Sequence, residues 1–289
     1  MLLQFLINGL VTGLLYSLLA IGFALVYNTT HVFHIAAAGL YVFAAYLFWA
    51  LSSLCGLPLI ISATLAVALT MGLSLLCEVG LYRPLRRRNA SPSVVMVASL
   101  GLMTVIVNVI AICWGNQTRV VSNAILRTYS LGGAVLTTPQ ICQIVVSLVS
   151  IALFLVLLER TRFGVGIRAV SDDEALFEAL GFDRRRTYCA AFLASGALIG
   201  LASCATVFDT GLDPNMGMGV LVNAMVAMII GGTGRFGTCV AGGLVLGVLQ
   251  SLTVMHFSAG WQNAVTFALL LVFLFLRPQG IAGFRQRVV

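Results

Sequence analysis

The sequence contains no lysine and few charged residues of any kind. All 16 of its basic residues are arginine, and only 9% of its 289 residues are charged. A P-loop needs a lysine that reaches the nucleotide phosphates, and a Schiff base needs a lysine amine. The missing lysine therefore excludes a P-loop ATPase and a Schiff-base enzyme.

Clusters of reactive side chains are missing as well. The seven cysteines are scattered singly, with no CxxC pair and no histidine at ligand spacing, so we interpret them as packing residues. No Ser/His/Asp set or pair of carboxylates supports an intramembrane enzyme. We expect no catalytic residue, no metal site and no cofactor bound by this chain.

Long apolar segments dominate what remains, since 60% of the residues are hydrophobic. A helix of about 20 residues crosses the hydrocarbon core of a membrane. We predict an all-α polytopic membrane protein, a single domain over residues 1–289 with a bundle of about eight or nine transmembrane helices. The candidate segments are 4–27, 32–53, 58–82, 93–114, 140–158, 188–208, 219–232, 238–256 and 260–276. The second and seventh are the candidates for discontinuous or re-entrant segments.

The arginines predict the orientation. Cytoplasmic loops carry an excess of basic residues. Fourteen arginines fall in the cytoplasm if 83–92, 159–187, 233–237 and 277–289 lie there, which leaves two in the external loop 115–139. This arrangement predicts a cytoplasmic C-terminus and, with nine crossings, an external N-terminus. It also explains the net charge of +7 without a nucleic-acid partner.

The charge is concentrated in one segment, "RFGVGIRAVSDDEALFEALGFDRRR" (162–186). We predict a short helix over 172–180, outside the membrane. Ser171 is the predicted N-cap, with Glu174 at the third helical position to complete a capping box. Asp172 and Asp173 are expected in the first turn, where the helix dipole favours negative charge.

The rest of this segment predicts an apolar face and a defined end. Ala175/Ala179 and Leu176/Leu180 are i,i+4 pairs that form one apolar stripe. Gly181 is the expected left-handed residue after the helix, and Phe182 is expected to fold back on Phe177 in a Schellman arrangement.

So short a helix is marginal in water unless something holds it. It either lies on the lipid surface, merely joins two spans, or docks into a groove on a cytoplasmic partner. Together with the missing lysine, the third alternative suggests a separate ATPase as the partner.

Polar residues inside the apolar segments are few. Asn8, Tyr16, Asn108 and Asn223 are candidates to line a translocation path, or else form hydrogen bonds between helices. Three Gly-x-x-x-Gly pairs indicate closely packed helices; they are Gly9/Gly13, Gly196/Gly200 and Gly243/Gly247.

Five motifs carry a resemblance to a known family, and RPLR and SLGL followed by Asn108 together form the central one. They are "NGLVTGLLYSLLAIGFALVY" (8–27), "RPLR" (83–86), "SLGL" (99–102) followed by Asn108, "GIRAVSDDEALFEALGFD" (166–183), "GGTGRFG" (231–237) and "RPQGIAG" (277–283). In this order and spacing, the chain resembles, nearly end to end, the permease subunits of ABC importers of the branched-chain amino acid (Liv) type.

The resemblance implies that the 159–187 loop couples this chain to an ATPase. The implied coupling residues are Gly164, Arg168, Ala169, Asp173, Glu174, Ala175, Leu176, Leu180 and Gly181. The implied partners are two cytoplasmic ABC ATPase subunits that hydrolyse the ATP, a second permease (homologous or identical), and a periplasmic or extracellular solute-binding protein. The implied location is a bacterial inner membrane.

The solute and the transport class stay open at this point. The resemblance implies branched-chain or other amino acids, although related permeases serve urea and short amides. A stand-alone secondary transporter or channel is the alternative class. It is disfavoured because ion-coupled carriers usually keep ionisable residues at mid-membrane, and Glu78 is the only acid in a predicted span.

Overall fold

The computed structural model describes residues 2–121, 128–131, 134–232, 234, 236–277 and 280–281. Several positions singled out above lie outside these described residues. They are Arg127, Thr233, Arg235, Arg285, Arg287 and the parts of the last motif at 278–279 and 282–283.

Helices make up nearly all of the described chain. They are α1 (Leu2–Thr30), α2 (Ala37–Trp49), α3 (Leu59–Cys77), α4 (Arg83–Arg87), α5 (Pro92–Trp114), α6 (Thr138–Arg160), α7 (Arg162–Asp172), α8 (Glu174–Ala179), α9 (Arg184–Thr210), α10 (Met216–Gly231), α11 (Phe236–His256) and α12 (Gln262–Leu276). Two π-helical turns, Ala50–Leu54 and Glu78–Tyr82, continue α2 and α3, and a 3₁₀ turn, Ala259–Trp261, precedes α12. Strands β1 (Thr128–Leu131) and β2 (Ala134–Thr137) form an antiparallel hairpin.

The predicted class, an all-α polytopic membrane protein, is confirmed. Within the described ranges, eight helical stretches are long and apolar enough to cross a membrane. The seventh predicted segment corresponds to α10, which has only 16 residues. At 1.5 Å per residue it extends about 24 Å, less than the ~30 Å hydrocarbon core. The second segment becomes helical only at Ala37, after a non-helical stretch.

Helix α1 lies at the centre of the bundle, and glycines allow it to approach α11 closely. A Cβ added to Gly247 would lie 2.4 Å from Gly13 Cα, and one added to Gly9 would lie 2.8 Å from Val248 Cα. In the same way, a Cβ on Gly196 of α9 would lie 2.7 Å from Ser74 Cβ of α3. The Gly-x-x-x-Gly pairs therefore mark real helix contacts, as predicted.

Buried serines fasten α9 to its neighbours. Ser195 Oγ donates to the Gly22 carbonyl at 2.7 Å, and Ser203 Oγ donates to the Tyr41 carbonyl at 2.6 Å. Because no water competes in the membrane, such bonds help hold helices that the hydrophobic effect does not drive together.

The loops predicted to be cytoplasmic meet at one end of the bundle. Phe154 near the end of α6 contacts Phe236 at the start of α11, with ring centroids 6.1 Å apart. The Ile281 N–H donates to the Ile230 carbonyl at 2.9 Å. At the opposite end, Arg119 and Leu212 form an antiparallel bridge between two loops.

Candidate functional site

The charged segment after α6 forms two helices, α7 and α8. Thr161 caps α7, because its Oγ1 accepts a hydrogen bond from Gly164 N at 3.3 Å. Ile167 and Val170 of α7 are 0% and 1% exposed and face the spans. This amphipathic pattern makes the chain helical from Arg162 to Asp172, ahead of the predicted helix over 172–180.

The predicted N-terminal cap is therefore wrong. Ser171 lies inside α7, and Asp172 is the last residue of that helix. The N-cap of α8 is Asp173, whose Oδ1 accepts from Leu176 N at 2.9 Å. Glu174 thus occupies the first helical position, and the predicted capping box does not form. The physical reason is that Asp173 is extended (φ −154°, ψ 106°) and breaks one helix while starting the next.

The predicted C-terminal arrangement is confirmed. Gly181 has φ +84°, the left-handed conformation that glycine adopts without a Cβ penalty. Its N–H donates to the Glu178 carbonyl at 2.9 Å, and Phe182 N–H donates to the Phe177 carbonyl at 3.3 Å. The two phenyl rings stack with centroids 5.1 Å apart. These are the two bonds and the contact of a Schellman motif.

The inner face of α8 is fixed to α9. Phe177 is 5% exposed and packs with Val170 and Tyr188. The Glu174 carboxylate accepts a hydrogen bond from the Tyr188 hydroxyl at 2.8 Å and forms an ion pair with Arg184. Burial alone would raise the pKa of Glu174, but the hydrogen bonds from Tyr188 and Arg184 and the arginine charge lower it overall. The acid is therefore held in its ionised form.

The outer face of α8 and its flanks are exposed and apolar. Leu176, Leu180 and Phe182 are 57%, 66% and 59% exposed. We call these three residues, together with the exposed Arg168 and Ala175, the coupling surface. Three large apolar side chains on a segment outside the membrane spans are typical of a surface that a partner covers.

The nine predicted coupling residues fall into three groups. Arg168, Ala175, Leu176 and Leu180 face outward, while Asp173 and Gly181 shape the two ends of α8. Gly164, Ala169 and Glu174 face the spans. At Gly164 the approach is close, since an added Cβ would lie 1.9 Å from the Leu158 carbonyl oxygen.

Sequence reasoning missed the residues that join this segment to the spans. The Arg86 guanidinium lies 4.6 Å from the centroid of the Tyr188 ring, and Arg86 forms an ion pair with Glu78. From the sequence, Arg83 and Arg86 were the two candidates to lie near Glu78, and Arg184 was interpreted only as a marker of orientation. A tyrosine two residues after the run of arginines at 184–186 was the available signal for Tyr188.

A second group of polar side chains lies inside the spans. Asn223 Nδ2 donates to the Tyr16 hydroxyl at 3.1 Å, and Asn223 Oδ1 accepts from Gln250 Nε2 at 3.1 Å. Thr266 Oγ1 accepts from Gln250 at 2.5 Å. We call these four residues the polar cluster. Gln250 and Thr266 were missed, although an amide inside the predicted span 238–256 is a signal of the same kind as Asn223.

A cavity of about 170 Å³ adjoins the polar cluster between α1, α11 and α12. Its polar wall consists of Asn8, Thr12, Gln250, Ser251 and Gln262. The structure thus brings three of the four predicted path residues, Asn8, Tyr16 and Asn223, to one region. Asn108 lies elsewhere, exposed on α5, where its amide donates to the Thr104 carbonyl at 2.8 Å.

An apolar helical bundle with a polar interior cluster and a fixed amphipathic helix pair at one end is typical of a multi-pass membrane protein. The profile of one family, described as "Branched-chain amino acid transport system / permease component", matches residues 5–274. The chain therefore belongs to this family, whose members are transport subunits of ABC transporters.

Individual relatives agree with this assignment. The chain is 26% identical to the high-affinity branched-chain amino acid transport system permease protein BraD of Pseudomonas aeruginosa, over 97% of this chain and 95% of the relative. It is 25% identical to the corresponding protein LivH of Escherichia coli K12, with the same coverage. It is 26% identical to a probable branched-chain amino acid permease, LivH of Methanocaldococcus jannaschii, over 92% and 88% of the two chains.

A solved structure shares the fold. It is PsaBC from Streptococcus pneumoniae in complex with Fab, at a TM-score of 0.54 and 14% identity, covering 96% of this chain and 93% of that one. The sequence-based prediction of an ABC importer permease of the branched-chain amino acid type is confirmed.

Proposed function

We propose that two cytoplasmic ATPase subunits drive the importer and that one of them docks on the coupling surface of this chain. The observation that carries the proposal is the exposed apolar set Leu176, Leu180 and Phe182. These side chains lie on and just after a helix whose inner face is fixed to α9. An apolar helix face is the usual ligand of a groove on a partner protein.

The work divides between the subunits. The chain itself binds no cofactor and hydrolyses no ATP, because the lysine of a P-loop is absent from its sequence. A second permease, identical or homologous, and an external solute-binding protein complete the importer. The complex lies in the inner membrane of a bacterium, with the arginine-rich end and the C-terminus in the cytoplasm.

Replacing one exposed leucine tests the docking site. Leu176→Asp places a charge in the apolar surface and should abolish co-purification of the ATPase subunits without affecting membrane insertion. Leu176→Met keeps the volume and the apolar character, so it should retain the partner. Normal assembly and uptake in Leu176→Asp would refute the docking surface.

We propose amino acids as the solutes, with leucine, isoleucine and valine first. The names of the relatives refer to branched-chain amino acids. The polar cavity also suits such a solute. Its amide and hydroxyl groups can donate and accept hydrogen bonds, and none of the polar residues in its wall carries a formal charge that would hold a zwitterion tightly. ATP-dependent uptake of leucine, with no uptake of urea or acetamide, is the expected result in proteoliposomes that contain the whole importer.

The same cavity and the polar cluster form the proposed route, so Asn8, Tyr16 and Asn223 contact the solute. Asn108 contributes only where a second permease faces α5. The test uses a variant without native cysteines and a hydrophilic thiol reagent. The reagent should label Thr12→Cys, and leucine should protect this cysteine. Leu271→Cys lies on the exposed side of α12 and not in the cavity wall, so the hydrophilic reagent should not label it. Labelling at Asn108→Cys but not at Thr12→Cys would move the route to the α5 face.

A further inference from the structure

One set of contacts behind the coupling surface continues into the membrane through Tyr188. Its hydroxyl donates to Glu174 at 2.8 Å, and its ring, 2% exposed, lies 4.6 Å from the Arg86 guanidinium. Arg86 in turn forms an ion pair with Glu78, which is also 2% exposed. Tyr188 therefore joins α8 to the π-helical turn 78–82 at the end of α3.

The same π-helical turn holds the start of α2. The Tyr82 hydroxyl lies 2.7 Å from His34 Nδ1 and 2.7 Å from Ser99 Oγ. Ser99 Oγ also accepts from Ala36 N at 2.9 Å, just before α2 begins. All of these side chains are fully buried. A shift of the π-helical turn must therefore displace the start of α2 and the adjoining part of α5 together.

We propose that Tyr188 is the positioning residue that passes movement of α8 to the π-helical turn Glu78–Tyr82, and so to α2 and α5. This inference rests on the proposed docking of an ATPase on the coupling surface. A π-helical turn is an irregular winding that often occurs at functional sites, which makes it a suitable place for a helix to change its geometry.

Two features make Tyr188 a better link than its neighbours. Its hydroxyl bond to Glu174 is charge-assisted and directional. The opposite side of the link is a cation–π contact with Arg86, a residue of the spanning helix. A displacement of Glu174 is therefore transmitted through a rigid ring. The Arg184–Glu178 pair, by contrast, is 42% and 49% exposed, so solvent screens it.

A purely structural role makes a different prediction. If Tyr188 only supports α8, its loss should weaken assembly with the ATPase subunits. If Tyr188 transmits movement, assembly and ATP hydrolysis should persist while solute uptake per ATP hydrolysed falls. The ratio of uptake to hydrolysis therefore separates the two roles.

The experiment uses the complete importer in proteoliposomes with its solute-binding protein. Tyr188→Phe removes one hydroxyl and keeps the ring. We expect normal co-purification of the ATPase subunits and a fall of about fivefold or more in leucine uptake per ATP hydrolysed. The matched control, Glu178→Gln, removes the exposed ion pair of the same helix and should change the ratio by less than about twofold.

A second variant removes the other end of the same bond. Glu174→Ala should lower the ratio in the same way, and the double variant should lower it no further, because both changes act on one contact. An unchanged ratio in Tyr188→Phe, or loss of the ATPase from both single variants, would overturn the inference. Failure of the proposed function would give another result: either the unmodified chain would fail to bind an ATPase, or Leu176→Asp would still bind one.

Discussion

Helices α1 and α12 are both apolar spans, with mean hydropathies of 2.1 and 1.8, yet they occupy opposite environments. In the most apolar 18 residues of α1, 83% of the residues are buried inside the protein. In the corresponding stretch of the span that contains α12, only 6% are buried. The difference between their sequences is in small residues: α1 presents Gly9 and Gly13 to α11, whereas α12 contains no glycine. Hydropathy brings a helix into the membrane, and small residues allow it to pack closely against a neighbouring helix.

The periphery is connected to the centre by polar groups at few positions. Thr266 is the buried residue of α12, and it is also the residue through which α12 joins the polar cluster. The lesson is that two kinds of contact, close glycine packing and buried hydrogen bonds, distinguish the interior of this bundle from its surface. Each of the predictions below compares matched changes or conditions, first inside the bundle and then at α8.

The largest effect is expected from adding one methyl group at the centre. In Gly247→Ala the new Cβ would meet the backbone of Gly13 at 2.4 Å, so the two helices must move apart. We expect a loss of about 3 kcal/mol in the free energy of unfolding, at the upper end of the usual cost of overpacking. Gly101→Ala on α5 has no atom within 4 Å of the new Cβ and should change stability little. Thermal unfolding in detergent measures both, and equal losses would contradict the comparison.

A smaller effect is expected from removing a buried amide. Asn223→Leu leaves Tyr16, Gln250 and Thr266 without a shared partner. Buried polar groups left unpaired cost about 1–3 kcal/mol in soluble proteins, and membrane hydrogen bonds average nearer 0.6 kcal/mol, so we expect about 1 kcal/mol. Asn108→Leu, which replaces an exposed amide, should lower the free energy of unfolding by less. Stability in detergent is the readout, and a greater loss at Asn108 would show that its face is covered.

A local effect is expected at the end of α8. Gly181→Val forces a β-branched residue into φ +84°, at a cost of about 1–2 kcal/mol. Only α8 should be disturbed, so co-purification of the ATPase should weaken less than in Leu176→Asp. Gly166→Val is the control, because Gly166 lies within a helix and its nearest atom to an added Cβ is at 3.8 Å. If both variants bind the ATPase equally, the left-handed turn is not required.

The smallest effect is a pH dependence of α8. The folded protein lowers the pKa of Glu174 below its ordinary value of 4.5, so the contact stabilises α8 fully above that value. The stabilisation should disappear as the pH falls through the lowered pKa. Hydrogen exchange of the α8 amides, corrected for intrinsic rates, should show protection declining at acid pH. In Glu174→Gln this pH dependence should be absent, and its persistence would assign it to another group.

The sequence predicted well where one physical rule acts alone. The apolar segments, the Gly-x-x-x-Gly contacts and the Schellman end at Gly181 depend on residues close in the chain, and each is found in the structure. The predicted N-cap at Ser171 was wrong, because the local capping signal competed with the longer amphipathic pattern of α7, which packs against the spans. Sequence reasoning also missed Tyr188 as the link between Glu174 and Arg86, since their partnership joins positions far apart in the sequence.

What the sequence determined by itself is the class of molecule. Apolar length indicates a membrane protein, and the absent lysine excludes a P-loop in this chain. The tertiary structure decided which polar residues meet. It gathered Tyr16, Asn223, Gln250 and Thr266 from four helices and left Asn108 outside. The physical reason is that hydropathy is a property of each segment alone, whereas a buried hydrogen bond depends on how the segments are rotated and packed against one another.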